Sequence, residues 1–356
     1  MGLLRCIGLI LLGLEAALAQ SSSQKWDLKD FKTLVTFGDS YTDDTRISYF
    51  FNHNGSAPPV GWVEPITNSS SSGGYIWGHF VHQYANLSHR YNYAVSGASC
   101  SNKITPRATS FGLYPSVLEY QVPAFTADNA YHLPNTGEKF LHNDPDSTIY
   151  SIWIGTNDLG NYAFLTDSQV ANKTIPDYID CVFNALDGVY TAGKGKYFVI
   201  MNMVPLQLAP LYATPENGGI GENNYWPDKS GNFTEISYRM WEQVSTVNQV
   251  YDYRAPFEWV VRKRYPGAKV AVMDMYELIS DIYYHPKEYL NGSAPANVTG
   301  YIHHCDVEGS ECQTLSSPDS FLWYDQLHPS QRTDEIIAEE FVKVVRGESA
   351  YATYWS

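Results

Sequence analysis

Basic charge is scarce in this chain. Of 356 residues only 23 are Lys or Arg, against 38 Asp or Glu, and the formal net charge is −15. A surface of that sign repels phosphate backbones, which excludes nucleic acid as a partner. Cysteine is scarce too, with five residues and no Cys-x-x-Cys pair, so the usual spacing of a structural zinc site is missing. After the N-terminal stretch no run is apolar enough to cross a bilayer, and no C-terminal anchor signal follows, so no membrane partner is expected. No repeat and no sharp change of composition divides the chain. One domain over residues 20–356 is therefore expected.

The residues that are present suit an exported protein. Arg5 precedes the short apolar stretch Cys6–Leu14, and Ala17-Leu18-Ala19 offers small residues at a cleavage site. Residues 1–19 read as a secretory signal peptide, too short to span a membrane. Seven Asn-x-Ser/Thr sequons, at Asn54, Asn68, Asn86, Asn172, Asn232, Asn291 and Asn297, then become glycan acceptors. Cys100, Cys181, Cys305 and Cys312 remain after cleavage, and oxidising export favours two disulfides from three pairings. Cys305–Cys312 would close a small loop, leaving Cys100–Cys181. His303 and His304 beside those two cysteines could form a metal cluster instead, but export argues against free thiolates there. No metal or cofactor is expected, and a monomer is.

Chemistry gathers at four turns. Leu34-Val35-Thr36-Phe37-Gly38-Asp39-Ser40-Tyr41 is an apolar run broken by a tight turn that would display a serine. Asn92-Tyr93-Ala94-Val95-Ser96-Gly97-Ala98 stops at a glycine, and Thr148–Ile154 ends in Gly155-Thr156-Asn157-Asp158. Trp323-Tyr324-Asp325-Gln326-Leu327-His328-Pro329 sets an acid three residues before a histidine. A serine hydroxyl needs a base to take its proton, and the base works best when a third group fixes its tautomer. Ser40, His328 and Asp325 supply those parts. The amides of Ser40 and Gly97 and the Asn157 side chain are donors suited to an oxyanion. Any one such turn is ordinary, since Gly and Asn end many strands. Four complementary turns in this order are not.

These segments resemble the four sequence blocks of the GDSL, or SGNH, hydrolase superfamily, over about residues 33 to 345. The resemblance implies Ser40 as nucleophile, Gly97 and Asn157 in the second and third blocks, and Asp325 with His328 in the last. Asp43 matches a position that plant-type members fill with Asp, but Asp44-Thr45 replace the Gly-Asn that follows it there. Thr36–Asp43 and Tyr93–Ala98 look most like secreted fungal carbohydrate esterases, acetylesterases in particular. The implied fold is a three-layer α/β/α sandwich, flavodoxin-like, around a five-stranded parallel sheet.

The chain's own pattern agrees with that fold class. Strand-like runs at Thr33–Phe37, Tyr91–Val95, Thr148–Ile154, Tyr197–Met201 and Lys269–Met273 alternate with helical segments at Tyr75–Leu87, Asp177–Ala192, Ser237–Arg264 and Ser330–Arg346. Pro329 is read as opening the last helix. Asn52–Gly74, Pro205–Asn232 and His285–Ser320 read as loops decorating the domain. Trp62, in the first of them, could reach the cleft and stack on a sugar, or merely anchor its loop. His79 and His82 lack the intervening Glu of a zinc-protease helix and read as structural.

The expectation is a secreted serine esterase acting on acetyl esters, on acetylated carbohydrate such as hemicellulose-derived oligosaccharides. A lipase or phospholipase of the same superfamily shares every motif but needs an apolar acyl groove. A serine peptidase fits the block order less well. A non-catalytic glycan-binding protein has no use for an intact Ser40, Asp325 and His328.

Overall fold

A computed structural model describes Trp26 and residues 30–356. The signal-peptide reading of residues 1–19 therefore lies outside the described residues. Six strands form the main sheet: β1 (Thr33–Gly38), β2 (His89–Asn92), β3 (Thr148–Trp153), β4 (Tyr197–Met201), β5 (Lys269–Met273) and β6 (Ala352–Trp355). Their order is β6-β5-β4-β3-β1-β2, parallel throughout except for β6, which runs against β5. Every residue of β1 and β3 is buried, the pattern of strands covered on both faces.

Side-chain parity sorts the helices onto two faces. Phe37, Tyr150 and Phe198 point to one side, where Phe125 of α3 (Val122–Ala130) packs edge-on to both Phe37 and Tyr150. α3 lies against α4 (Ile175–Gly193), and Tyr251 of α5 (Phe233–Pro256) meets Phe183 of α4. Trp153 points to the other side and meets Trp77 of α2 (Trp77–Tyr84), which packs on Phe341 of α7 (Gln331–Arg346). Two further helices are α1 (Arg46–Asn52) and α6 (Met275–Tyr284). The result is the expected three-layer sandwich.

The sheet has six strands rather than five. The extra strand, β6, follows the last helix, and Tyr354 locks it down by burying its ring and donating to the Val344 carbonyl at 3.0 Å. Its aromatic, β-branched composition was a signal that the reading of a closing helix passed over. Pro329 does not open α7 either. It bridges to Trp323, and Ser330 caps the helix by accepting the Thr333 amide at 3.2 Å. Both expected disulfides are present, Cys100–Cys181 tying the segment after β2 to α4 and Cys305–Cys312 closing a short hairpin. That hairpin shows why the metal alternative fails here: His303 lies near both sulfurs, but they are bonded to each other.

One topological consequence decides where chemistry can sit. From β1 the chain goes outward to β2 on one side and then returns to β3 on the other. Loops leaving β1 and β3 therefore diverge and open a crevice at the carboxyl ends of the strands. Ser40 follows β1, Gly97 follows β2 and Asn157 follows β3.

Candidate active site

The turn after β1 is built by Asp39. Its carbonyl accepts the amides of Thr42 and Asp43 at 3.0 and 2.9 Å, and its Oδ1 accepts the Tyr41 amide at 3.0 Å. Ser40 is thereby lifted off the strand end, buried but facing a cavity of about 230 Å³. The opposite wall comes from the loop between Trp323 and α7. Asp325 Oδ1 accepts the amides of Leu327 and His328, each at 2.8 Å, a local ring that accounts for the spacing of three. The ring turns the imidazole back so that Nδ1 lies 2.8 Å from Asp325 Oδ2 while Nε2 lies 2.8 Å from Ser40 Oγ. Tyr41 fastens the two walls by donating its phenol to the Leu327 carbonyl at 2.7 Å.

Burial alone would push the Asp325 carboxyl up. The neighbouring imidazole, its N–H and the amides of His328 and Leu327 more than offset this and hold it below the usual carboxylate range. An ionised acid on Nδ1 leaves Nε2 free to accept the serine proton, so a chain of proton acceptors runs from Ser40 to Asp325.

Gly97 and Asn157 line the same cavity. Gly97 has φ +81°, and a Cβ there would come within 2.4 Å of the Tyr114 ring, so the position demands glycine on two counts. The Asn157 Nδ2 donates to the Ala98 carbonyl at 2.9 Å and keeps a second hydrogen. The amides of Ser40 and Gly97 have no acceptor among the described residues. Three donors are thus left over around one cavity.

Asp43 links two of these segments, accepting from the Ser96 amide and hydroxyl at 2.8 and 2.7 Å and from the Arg46 amide at 2.6 Å. Asp158 receives the Cys100 amide at 3.0 Å and the Thr105 hydroxyl, pinning the segment after Gly97. Trp62 does not line the cavity. It lies under the Arg46 guanidinium, 4.9 Å from ring centroid to Cζ, and edge-on to Tyr49, so it anchors its loop.

Tyr225 and Arg107 line the cavity, touch the site residues and escaped the sequence reading. Tyr225, in the insert read as decoration, donates its phenol to Asp325 Oδ2 at 2.9 Å and sets its ring edge against His328. Arg107 contacts the Asn157 Oδ1 and the Gly97 carbonyl. Neither sits near its partner in sequence, so no local motif could have flagged it.

Burial pushes the Asp39 carboxyl up to about 7, with the Tyr41 amide and His328 opposing, and its Oδ2 finds no partner among the described residues. Burial likewise pushes Asp43 and Asp158 up to about 6. A carboxyl raised by folding contributes stability fully below its unfolded value near about 4 and loses it as pH rises through the folded value. The melting temperature should therefore fall as pH rises from about 4 to about 7. Asp39→Asn, which mimics the neutral acid, should flatten that slope. Calorimetry across the window checks both, and a melting temperature rising with pH would contradict the assignment.

The chain is similar to known proteins along most of its length. The GDSL-like Lipase/Acylhydrolase family profile matches residues 34–341. An acetylesterase from Hypocrea jecorina is 43% identical over 332 residues, covering 92% of each chain. A second acetylesterase, from Thermothelomyces thermophilus, is 29% identical over 198 residues, 52% of this chain and 59% of that protein. Among solved structures, an acetylxylan esterase from Geobacillus stearothermophilus superposes with a TM-score of 0.40 at 14% identity, over 90% of this chain and 96% of that one.

Proposed function

This chain belongs to the GDSL-like lipase/acylhydrolase family, whose members are carboxylic ester hydrolases, and from that premise we propose an acetylesterase that works through an acyl-enzyme on Ser40. The observation that carries the reading is the continuous bonding from Ser40 Oγ in the cavity wall through His328 to the buried Asp325 behind it. The likeness to an acetylesterase along 92% of the chain supports the acyl group.

In this reading His328 Nε2 takes the Ser40 proton as Oγ bonds to the ester carbonyl carbon. The resulting oxyanion is held by the Ser40 and Gly97 amides and the Asn157 Nδ2. The imidazolium then gives its proton to the departing alcohol oxygen as the C–O bond breaks. Water repeats the sequence on the acyl-enzyme, with its proton passing to His328, and acetate leaves as Ser40 is regained.

The cavity suits a small acyl group. It holds about 230 Å³, and its lining mixes the apolar Ile47, Phe51, Leu211 and Leu327 with the polar Ser96, Arg107 and Asn161. The alcohol side is proposed to be a sugar. Phe51 and Tyr225, 48% and 37% exposed, stand at the rim where a ring could stack, the role first considered for Trp62. Acetylated oligosaccharides of hemicellulose have this form. Secretion is part of the proposal, supported by the two disulfides and the N-terminal sequence. Six of the seven sequon asparagines are exposed, while Asn297 is half-buried with Oδ1 accepting the Gly300 amide, so glycans are expected on the six.

The test is a p-nitrophenyl ester series alongside acetylated xylo-oligosaccharides. Each methylene buried in an apolar groove would add about 0.8 kcal/mol, raising kcat/KM with chain length. Without a groove kcat/KM should be highest for acetate and fall by butyrate. An octanoate ester outperforming acetate would replace this reading with the lipase one.

A further inference from the structure

Arg107 presents an arrangement that the proposed chemistry does not yet use. A single guanidinium nitrogen, Nη1, donates to both the Gly97 carbonyl, at 3.1 Å, and the Asn157 Oδ1. Those acceptors belong to the two segments that carry the outlying oxyanion donors. The side chain is half-buried in the cavity wall and lies 5.4 Å from the Tyr114 ring centroid, the same ring that crowds Gly97. Its own backbone is held too: the Arg107 carbonyl accepts the Tyr114 amide at 2.9 Å, at the foot of the hairpin formed by Ala108–Thr109 and Gly112–Leu113.

The donor inventory fixes what this contact does. Guanidinium only donates, so the Asn157 atom facing it must be the carbonyl oxygen. A backbone carbonyl only accepts, so the Asn157 atom facing Ala98 must be nitrogen. Both neighbours demand the same orientation of the amide, and together they leave one N–H of Nδ2 unspent. A cation on Oδ1 also draws charge through the conjugated amide and makes that N–H a stronger donor. By holding the Gly97–Ala98 peptide as well, Arg107 sets the two donors relative to each other. An oxyanion gains most from donors that need no reorganisation when charge develops.

We infer that Arg107 is a positioning residue for this reaction, acting through Asn157 and Gly97 to pre-set the oxyanion donors. The inference rests on the proposed esterase reading. A structural anchor would lower the melting temperature and leave kcat per folded molecule alone. A substrate contact would raise KM. A positioning residue lowers kcat, and its effect depends on Asn157 being present.

The experiment is a double-mutant cycle with p-nitrophenyl acetate on Arg107→Ala, Asn157→Ala and the double variant, with active sites counted by fluorophosphonate labelling. Arg107→Ala should lower kcat about 10- to 30-fold with KM changed less than about threefold. In the Asn157→Ala background the same change should cost less than about threefold. Guanidinium ion at sub-denaturing concentration should restore part of the kcat of Arg107→Ala but not of the double variant. If Arg107→Ala fails to fold, Arg107→Lys carries the cycle, since a point charge reaches one acceptor and should lose part of the effect. Equal losses in both backgrounds, or a loss confined to KM, overturn the inference while leaving the esterase reading intact. An Asn157→Ala variant with undiminished kcat removes the oxyanion role of Asn157 and the inference together.

Discussion

Ser40→Ala and His328→Ala should each lower kcat on a short acyl ester by on the order of 10⁵- to 10⁶-fold. Removing the hydroxyl removes the atom that forms the covalent bond. Removing the imidazole leaves the hydroxyl protonated at neutral pH, so the bond cannot form at a useful rate. The two residues act as one unit across their 2.8 Å contact, and the double variant should therefore be no slower than either single one. Residual catalysis would come from binding and the oxyanion donors, which both substitutions leave in place. Ser40→Ala puts little stability at stake, because it gives up one hydrogen bond, worth about 1 kcal/mol. His328→Ala also leaves the buried Asp325 without its partner and should melt at a lower temperature. Fluorophosphonate labelling adds an independent reading: it should mark the parent protein at Ser40 and leave Ser40→Ala unmarked. Full turnover in either variant would require another nucleophile or base.

How far this site could be read without coordinates follows from the range of the interactions that build it. The turn at Ser40 and the Asp325–His328 ring are made by residues within a few positions of one another, and their chemistry shows in the local sequence. β1, β3, β4 and β5 were legible because covered parallel strands are uninterrupted apolar runs. By contrast β2, half-buried at His89–Asn92, lies mostly ahead of the run Tyr91–Val95, and β6 was missed. Tyr225 stands 100 positions from Asp325, and Arg107 stands 50 from Asn157. Nothing in the composition of either neighbourhood marks those contacts. The segment Pro205–Asn232 is polar and irregular, which suits a surface loop. Yet Gln326 reaches Asn223 and Asn224 within it and draws Tyr225 over the acid. Trp62 failed for the converse reason: proximity in sequence to the nucleophile suggested the cleft, but buried Arg46 offers its ring a cation to cover.

Asp325→Asn should cost about 10⁴-fold in kcat and leave KM within a few fold. The carboxylate now accepts at every contact: two amides and the imidazole N–H on one side, the imidazole N–H and the Tyr225 phenol on the other. An asparagine keeps only one acceptor oxygen. If that oxygen serves the Leu327 and His328 amides, the new NH₂ faces Nδ1 and can only donate to it. The imidazole must then shift its proton to Nε2, which meets the Ser40 hydroxyl as a donor and cannot take its proton. The loop geometry survives, so substrate binding should too. Tyr225→Phe provides the control within the same cluster. It removes one donor to an acid that keeps three others and leaves the tautomer untouched, so its kcat should stay within about tenfold of the parent. If Asp325→Asn were no worse than Tyr225→Phe, the acid would be holding only the loop, and the orienting role assigned to it would have to pass to another group on Nδ1.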